Sequence, residues 1–183
     1  MIQLFTFLSF LLLILSKNVK ADNQIDSQNT SAQSFITVTA PTNNIWTVNA
    51  PSLDFGSQTA AASLLSFNIN ASGPIYITNL SGTSTSFSLQ QSVSEFTLTS
   101  GSQILPVTAF YLTVANSSDG KLVGSSAVNI FKQNGEVIRS GTSANGRMTS
   151  GAVNAQIRVD GASKVILTGS YKATISSTLI SGP

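Results

Sequence analysis

The fold class is decided by the stretch VNIFKQNGEVI, residues 128–138. Two runs rich in β-branched and aromatic residues flank Asn134-Gly135, a dipeptide that tolerates the positive φ angles of a type I′ turn. The stretch therefore predicts a β-hairpin. Asp119-Gly120, Asn145-Gly146 and Asp160-Gly161 indicate further turns, because Asp, Asn and Gly favour turn conformations.

A hydrophobic period of two residues, which is typical of β-strands, recurs on both sides of this stretch. The predicted strands share this alternation and are residues 35–40, 45–50, 64–70, 75–80, 86–90, 96–99, 109–115, 127–132, 136–139, 152–159, 164–167 and 171–180. No convincing helical stripe with caps is found after residue 21. Many short strands at close spacing predict an all-β protein with an Ig-like (pilin-like) antiparallel β-sandwich.

Five residues are predicted to lie in the core of this sandwich: Trp46, Phe55, Tyr171, Ile175 and Leu179. The last three share one strand face, because side chains alternate between the two faces along a strand. Trp46 is the only tryptophan, and its large ring favours a buried anchor. The alternative is an exposed platform on which a sugar stacks.

Residues 1–21 have the pattern of a signal peptide. The apolar run from Leu4 to Leu15 has the length of a signal-peptide core and is too short to span a bilayer as a helix. Small residues at Val19 and Ala21 predict cleavage before Asp22. The alternative is an uncleaved N-terminal anchor.

The rest of the chain is predicted to comprise an arm and one domain. Residues 22–34 are polar and rich in Gln, Asn and Ser, which predicts a flexible arm. Residues 35–183 are long enough to form one sandwich domain with its own core. No second apolar run of membrane length follows, so the sequence predicts a secreted protein without a membrane span after cleavage.

Charged residues are few and unevenly placed. They make up 9% of the sequence. Residues 22–120 contain five acids and no base, whereas residues 121–183 contain seven bases and two acids, so the two parts carry −5 and +5. Either this is chance among few charges, or the molecule is polar and its ends attract in a head-to-tail manner. A nucleic-acid partner is not expected from this composition.

The composition offers little catalytic chemistry. The sequence has no His and no Cys, which removes the commonest general base, the usual zinc ligands and the Ser-His and Cys-His nucleophile pairs. Asp119 and Asp160 each precede Gly, where Asp is an ordinary turn residue. We therefore expect a non-enzymatic protein with no catalytic residues, no cofactor and no metal site.

Two segments resemble spore coat protein U-like domains, a family of bacterial pilin-type subunits. The first is Trp46–Gly56, which ends in Leu-Asp-Phe-Gly and carries Trp46 where that family has Cys. The second comprises Ala155–Val159 and the Gly-x-Tyr strand Gly169–Ile175. The resemblance implies a subunit of a bacterial surface filament (fimbrium), with a structural or adhesive role. It implies related subunits as partners, together with a periplasmic chaperone and an outer-membrane usher.

Pilin-type sandwiches lack one strand, and a neighbouring subunit fills the gap with an extended N-terminal arm. The residues that would form this donor strand are Phe35, Ile36, Val38 and Ala40. The alternative is that this strand completes its own domain.

A second resemblance is to WxL-like cell-wall-associated surface proteins. It is carried by Phe87–Leu89 and Ser177–Leu179, which lie where that family has its two Trp-x-Leu signatures. It implies a surface protein that is bound to the cell wall.

Overall fold

The computed structural model describes residue 36 and residues 46–181, and the latter form an all-β domain. Its strands are β1 (Trp46–Asn49), β2 (Leu64–Asn70), β3 (Tyr76–Asn79), β4 (Phe87–Val93), β5 (Thr97–Leu98), β6 (Val107–Val114), β7 (Leu122–Gly124), β8 (Val128–Asn129), β9 (Gly135–Ser140), β10 (Gly146–Thr149), β11 (Val153–Asp160), β12 (Tyr171–Lys172) and β13 (Ile175–Ser181). None of these residues is helical, so the described part of the chain has no helix that could cross a membrane. The all-β prediction is confirmed.

The strands form antiparallel sheets. Sheet I has the order β1-β3-β10, sheet II has β2-β11-β6-β8, and sheet III has β13-β4-β9-β7. A short pair, β12-β5, completes the arrangement. All of these ladders are antiparallel, which suits strands that bury one face and expose the other.

The core is one apolar cluster to which sheets I, II and III all contribute. In sheet II, β11 buries Val153, Ala155, Ile157 and Val159, and its intervening residues face outward. In sheet III, β4 buries alternate residues from Phe87 to Val93 in the same manner. The period of two in the sequence therefore becomes the two faces of each sheet.

Two strands, β6 and β9, break this alternation, and in β9 the consecutive residues Val137 and Ile138 are both buried. Ala109 and Phe110 of β6 are consecutive and both buried. The register between β6 and β11 shifts here, since Arg158 lies opposite Ala109 but Val159 lies opposite Val107. Thr108 is the extra residue of this β-bulge, and the bulge lets Val107 face the core on the same side as Phe110 and Leu112.

The predicted hairpin at Asn134-Gly135 is wrong. β8 pairs with β6 in sheet II, whereas β9 pairs with β4 and β7 in sheet III, so this segment passes from one sheet to the other. Long-range hydrogen bonds direct the crossing. The Ile130 N–H donates to the Phe110 carbonyl in sheet II (2.8 Å), and the Ile130 carbonyl accepts from the Val93 N–H in sheet III (2.8 Å).

Several strand boundaries also differ from the prediction. Residues 164–167 form no strand, and residues 171–180 divide into β12 and β13. The division occurs at Thr174, whose backbone bonds to Ser94 instead of to a strand. The Ser94 N–H donates to the Thr174 carbonyl, and the Ser94 hydroxyl accepts from the Thr174 N–H. The alternation did not predict β7 or β10, which are only three and four residues long.

Buried polar groups in the domain are hydrogen-bonded. Asn79 is fully buried at the end of β3. Its side-chain nitrogen donates to the carbonyls of Thr83 (3.0 Å) and Ala144 (3.4 Å), and its side-chain oxygen accepts from the Ser81 N–H (2.9 Å). These bonds offset the cost of removing the amide from water.

Candidate functional site: an apolar groove at an open side of the sandwich

The two sides of the sandwich are closed to different degrees. On the side of β7 and β8 the chain itself joins the two sheets. Ser125 accepts a hydrogen bond from Val114 of sheet II and donates one to Val137 of sheet III. Together with the crossing at Ile130, these bonds link the two sheets on this side.

The opposite side is bordered by the edge strands β2 and β13, and we call it the open side. Among residues 46–181, β2 pairs with β11 alone and β13 pairs with β4 alone. The inward residues of these edge strands are only half-buried: Leu65, Phe67 and Ile69 on β2, and Ile175 and Leu179 on β13. The inward residues of the neighbouring strands β11 and β4 are buried. Within residues 46–181, the strands therefore leave part of the core incompletely covered along the open side.

A groove of about 900 Å³ lies at this side. Its apolar lining comes from both sheets and from two loops: Phe55, Leu65, Phe67, Val93, Phe96, Leu105, Phe110, Ile157, Val159, Ile166 and Ile175. Phe110 is central, because it meets Phe55 edge to face (5.8 Å between ring centres) and stacks on Phe96 (5.9 Å).

The Leu-Asp-Phe-Gly segment forms one wall of the groove. Gly56 adopts a positive φ of 60°, a conformation that favours glycine, and its N–H donates to the Asp54 carboxylate (2.8 Å). This tight turn places Phe55 against Phe110. The Gly-x-Tyr segment forms part of another wall, where the Tyr171 hydroxyl donates to the Leu167 carbonyl (2.9 Å). Both motifs noted in the sequence therefore line the same groove.

The five predicted core residues have two different locations. All five are half-buried. Phe55, Tyr171 and Ile175 line the groove. Trp46 and Leu179 pack against the main core, where Trp46 meets Phe87 edge to face with 5.1 Å between ring centres. The fully buried centre consists of residues that the prediction did not single out, such as Phe110 and Ile77.

The proposed donor strand lies almost wholly outside the described residues, as do the signal peptide and the arm. Of its four residues, Phe35, Val38 and Ala40 are not described. Ile36 is described, and its side chain is 87% exposed.

The ionisable side chains that line the groove are Asp54, Tyr171 and Lys172. The carboxylates with lowered pKa lie in turns elsewhere. The pKa of Asp119 is lowered first by a hydrogen bond from Ser117, and that of Asp160 by hydrogen bonds from Ser163. Both stabilise turns, as the sequence predicted. Within residues 46–181 no three potential His, Cys, Asp or Glu ligands cluster as a metal site would require.

The charge separation along the sequence does not become a separation in space. Lys132 pairs with Glu95 (2.8 Å), and Lys121 lies 3.9 Å from Asp119, so acids of the first part meet bases of the second. Sheets II and III each contain strands of both parts. The domain therefore does not have the oppositely charged ends that a head-to-tail attraction would require.

No protein-family model matches this chain, and a search of curated proteins returned no match. The resemblances to spore coat protein U-like and WxL-like proteins remain predictions from the sequence. The stretches quoted for the second resemblance lie on adjacent strands, where Leu89 of β4 is opposite Leu179 of β13.

Proposed function

We propose that this protein is a non-enzymatic structural or adhesive subunit of a bacterial surface filament, and that its groove receives the segment Phe35–Ala40 of a second copy. The observation that carries the proposal is the open side, where β2 and β13 each lack a second partner strand among residues 46–181 and border a partly covered region of the core. An extended segment entering there gains main-chain hydrogen bonds from an edge and buries its inward side chains.

The chemistry of the segment suits the groove. Ile36, Val38 and Ala40 lie on one face of an extended chain, and the groove lining is largely apolar. The exposed side chain of Ile36 would lose its contact with water on entering.

Charge gives further support. Residues 46–181 contain seven bases and five acids, a net charge of +2, whereas residues 22–45 contain Asp22 and Asp26 and no base. An arm of one copy and the domain of the next therefore carry opposite net charges, which favours their encounter.

The direct test uses a variant that places a charge in the groove. Ile36→Asp would bury an unpaired carboxylate, which is strongly disfavoured, so filaments should fail to form. Thr37→Asp is the matched control, because it adds the same charge to the opposite face of the segment. Electron microscopy and sedimentation of the secreted protein would measure assembly. Equal assembly of both variants would contradict the proposal.

A second experiment tests the occupant itself. Chains lacking residues 22–40 should be less stable and should bind a synthetic peptide of residues 30–45, with a rise in thermal stability. A truncated chain that folds normally as a monomer and ignores the peptide would show that the segment does not donate a strand. An intact chain that stays monomeric and sediments with purified cell walls would favour a WxL-like role instead.

A further inference from the structure

The outer face of sheet II carries a polar network that is separate from the groove. Gln156 of β11 is held at both ends: its side-chain nitrogen donates to Asn68 of β2 (2.9 Å), and its side-chain oxygen accepts from Arg158 Nε (3.2 Å). The Arg158 guanidinium lies over the Tyr111 ring of β6, 5.0 Å from its centre. These residues face outward, whereas the groove-lining Phe67 and Ile157 on the same strands face inward.

The unused groups of this network are mostly hydrogen-bond donors. The side-chain oxygens of Asn68 and Gln156 already accept within the network, while the amide nitrogen of Asn68 and the terminal nitrogens of Arg158 remain available. No carboxylate of the described residues forms an ion pair with Arg158. Asp160 lies on the same face of β11. Its carboxylate accepts hydrogen bonds from the N–H groups of Ala162 and Ser163 in the turn that follows the strand. The face therefore suits a ligand that is rich in acceptors and negatively charged.

We propose that the outer face of sheet II binds a carboxylated oligosaccharide, with the carboxylate on Arg158 and a sugar hydroxyl on the amide nitrogen of Asn68. A planar guanidinium pairs with a carboxylate through two parallel hydrogen bonds, and stacking on Tyr111 holds it in place for that contact. Asn68, Gln156 and Tyr111 form one row across three adjacent strands, and such a row spans about 10 Å. This length accommodates a short saccharide rather than a single small anion.

The test is titration calorimetry of the full chain with oligogalacturonate, a polymer of carboxylated sugar, and with its methyl-esterified form. The acidic form should bind, and esterification should weaken binding by about ten-fold or more, because it removes the charged acceptor. Arg158→Lys keeps the charge but loses the planar fork, and it should weaken binding to a similar degree. Arg147→Lys is the matched control, since Arg147 also stacks on a tyrosine, Tyr76 (4.8 Å), but lies in sheet I.

Several results would overturn this assignment. They are absence of binding, equal affinity for the esterified oligomer, equal affinity of the Arg158→Lys variant, and equally tight binding of a poly-glutamate peptide, which would indicate a general acid-binding surface. The Ile36→Asp variant should bind the oligosaccharide normally, so this assignment and the filament proposal fail or succeed separately.

Discussion

The incomplete cover of Ile175 makes a quantitative prediction. Ile175 lies on the edge strand β13, lines the groove and is half-buried, whereas Ile138 of β9 in the same sheet is fully buried. Truncating a fully buried isoleucine to alanine costs about 2–5 kcal/mol in transfer energy and cavity formation. Ile138→Ala should show this cost. Ile175→Ala should cost less, because part of its side chain already contacts water and solvent can enter the space left behind.

Urea unfolding of both variants, followed by circular dichroism on monomeric samples, measures this difference. Adding the peptide of residues 30–45 provides a second comparison. At one hundred times its dissociation constant, such a peptide should stabilise the wild-type domain by about 2.7 kcal/mol, and the Ile175→Ala domain by less. Equal destabilisation by Ile138→Ala and Ile175→Ala without peptide would show that Ile175 is covered in solution, and the reasoning from an open side would be refuted.

Two other predictions concern the domain itself. Gly124→Ala should destabilise by about 1–3 kcal/mol in thermal melts, because the added Cβ would collide with the Val114 carbonyl oxygen; Gly73→Ala, which has open space around it, should stay within about 0.5 kcal/mol of wild type. Asp160→Asn should lower the urea midpoint at neutral pH, because hydrogen bonds from Ser163 hold the folded pKa of the Asp160 carboxyl below its ordinary value. A lowered folded pKa contributes stability above the unfolded pKa, so this loss should vanish once the pH falls below the folded pKa, and a loss that persists there would contradict the cause.

The sequence predicted the strands better than their partners. Alternation placed β2 at its observed bounds and β11 within one residue of them, because one face of each strand must be apolar. Asn134-Gly135 led to a wrong hairpin prediction, because local turn chemistry contains no information about long-range pairing. The backbone of Ile130 forms hydrogen bonds with Phe110 and Val93 instead. A pairing choice of this kind depends on residues far away in the chain.

Local sequence patterns could not predict the groove either, because its residues are far apart in the chain. Its walls come from residues 53–60 and residues 166–173, which are separated by most of the domain. Alternation indicates which side of a strand is apolar, and it correctly placed Ile175 and Leu179 on an inward face. It does not indicate whether another strand lies beyond them. That is why these two residues were predicted as core and are half-buried instead.

The burial of Asn79 has a consequence for the compartment in which this chain can fold. Asn79-Leu80-Ser81 is an acceptor triplet for N-linked glycosylation. A glycan on the Asn79 nitrogen would replace one of the two N–H groups that donate to Thr83 and Ala144, and it would have no room at a fully buried position. A chain that acquired a glycan at Asn79 during secretion could not close this end of β3, so a eukaryotic secretory host would yield folded protein only from chains that escape modification there. Ser81→Ala would remove the triplet and leave the Asn79 amide in place.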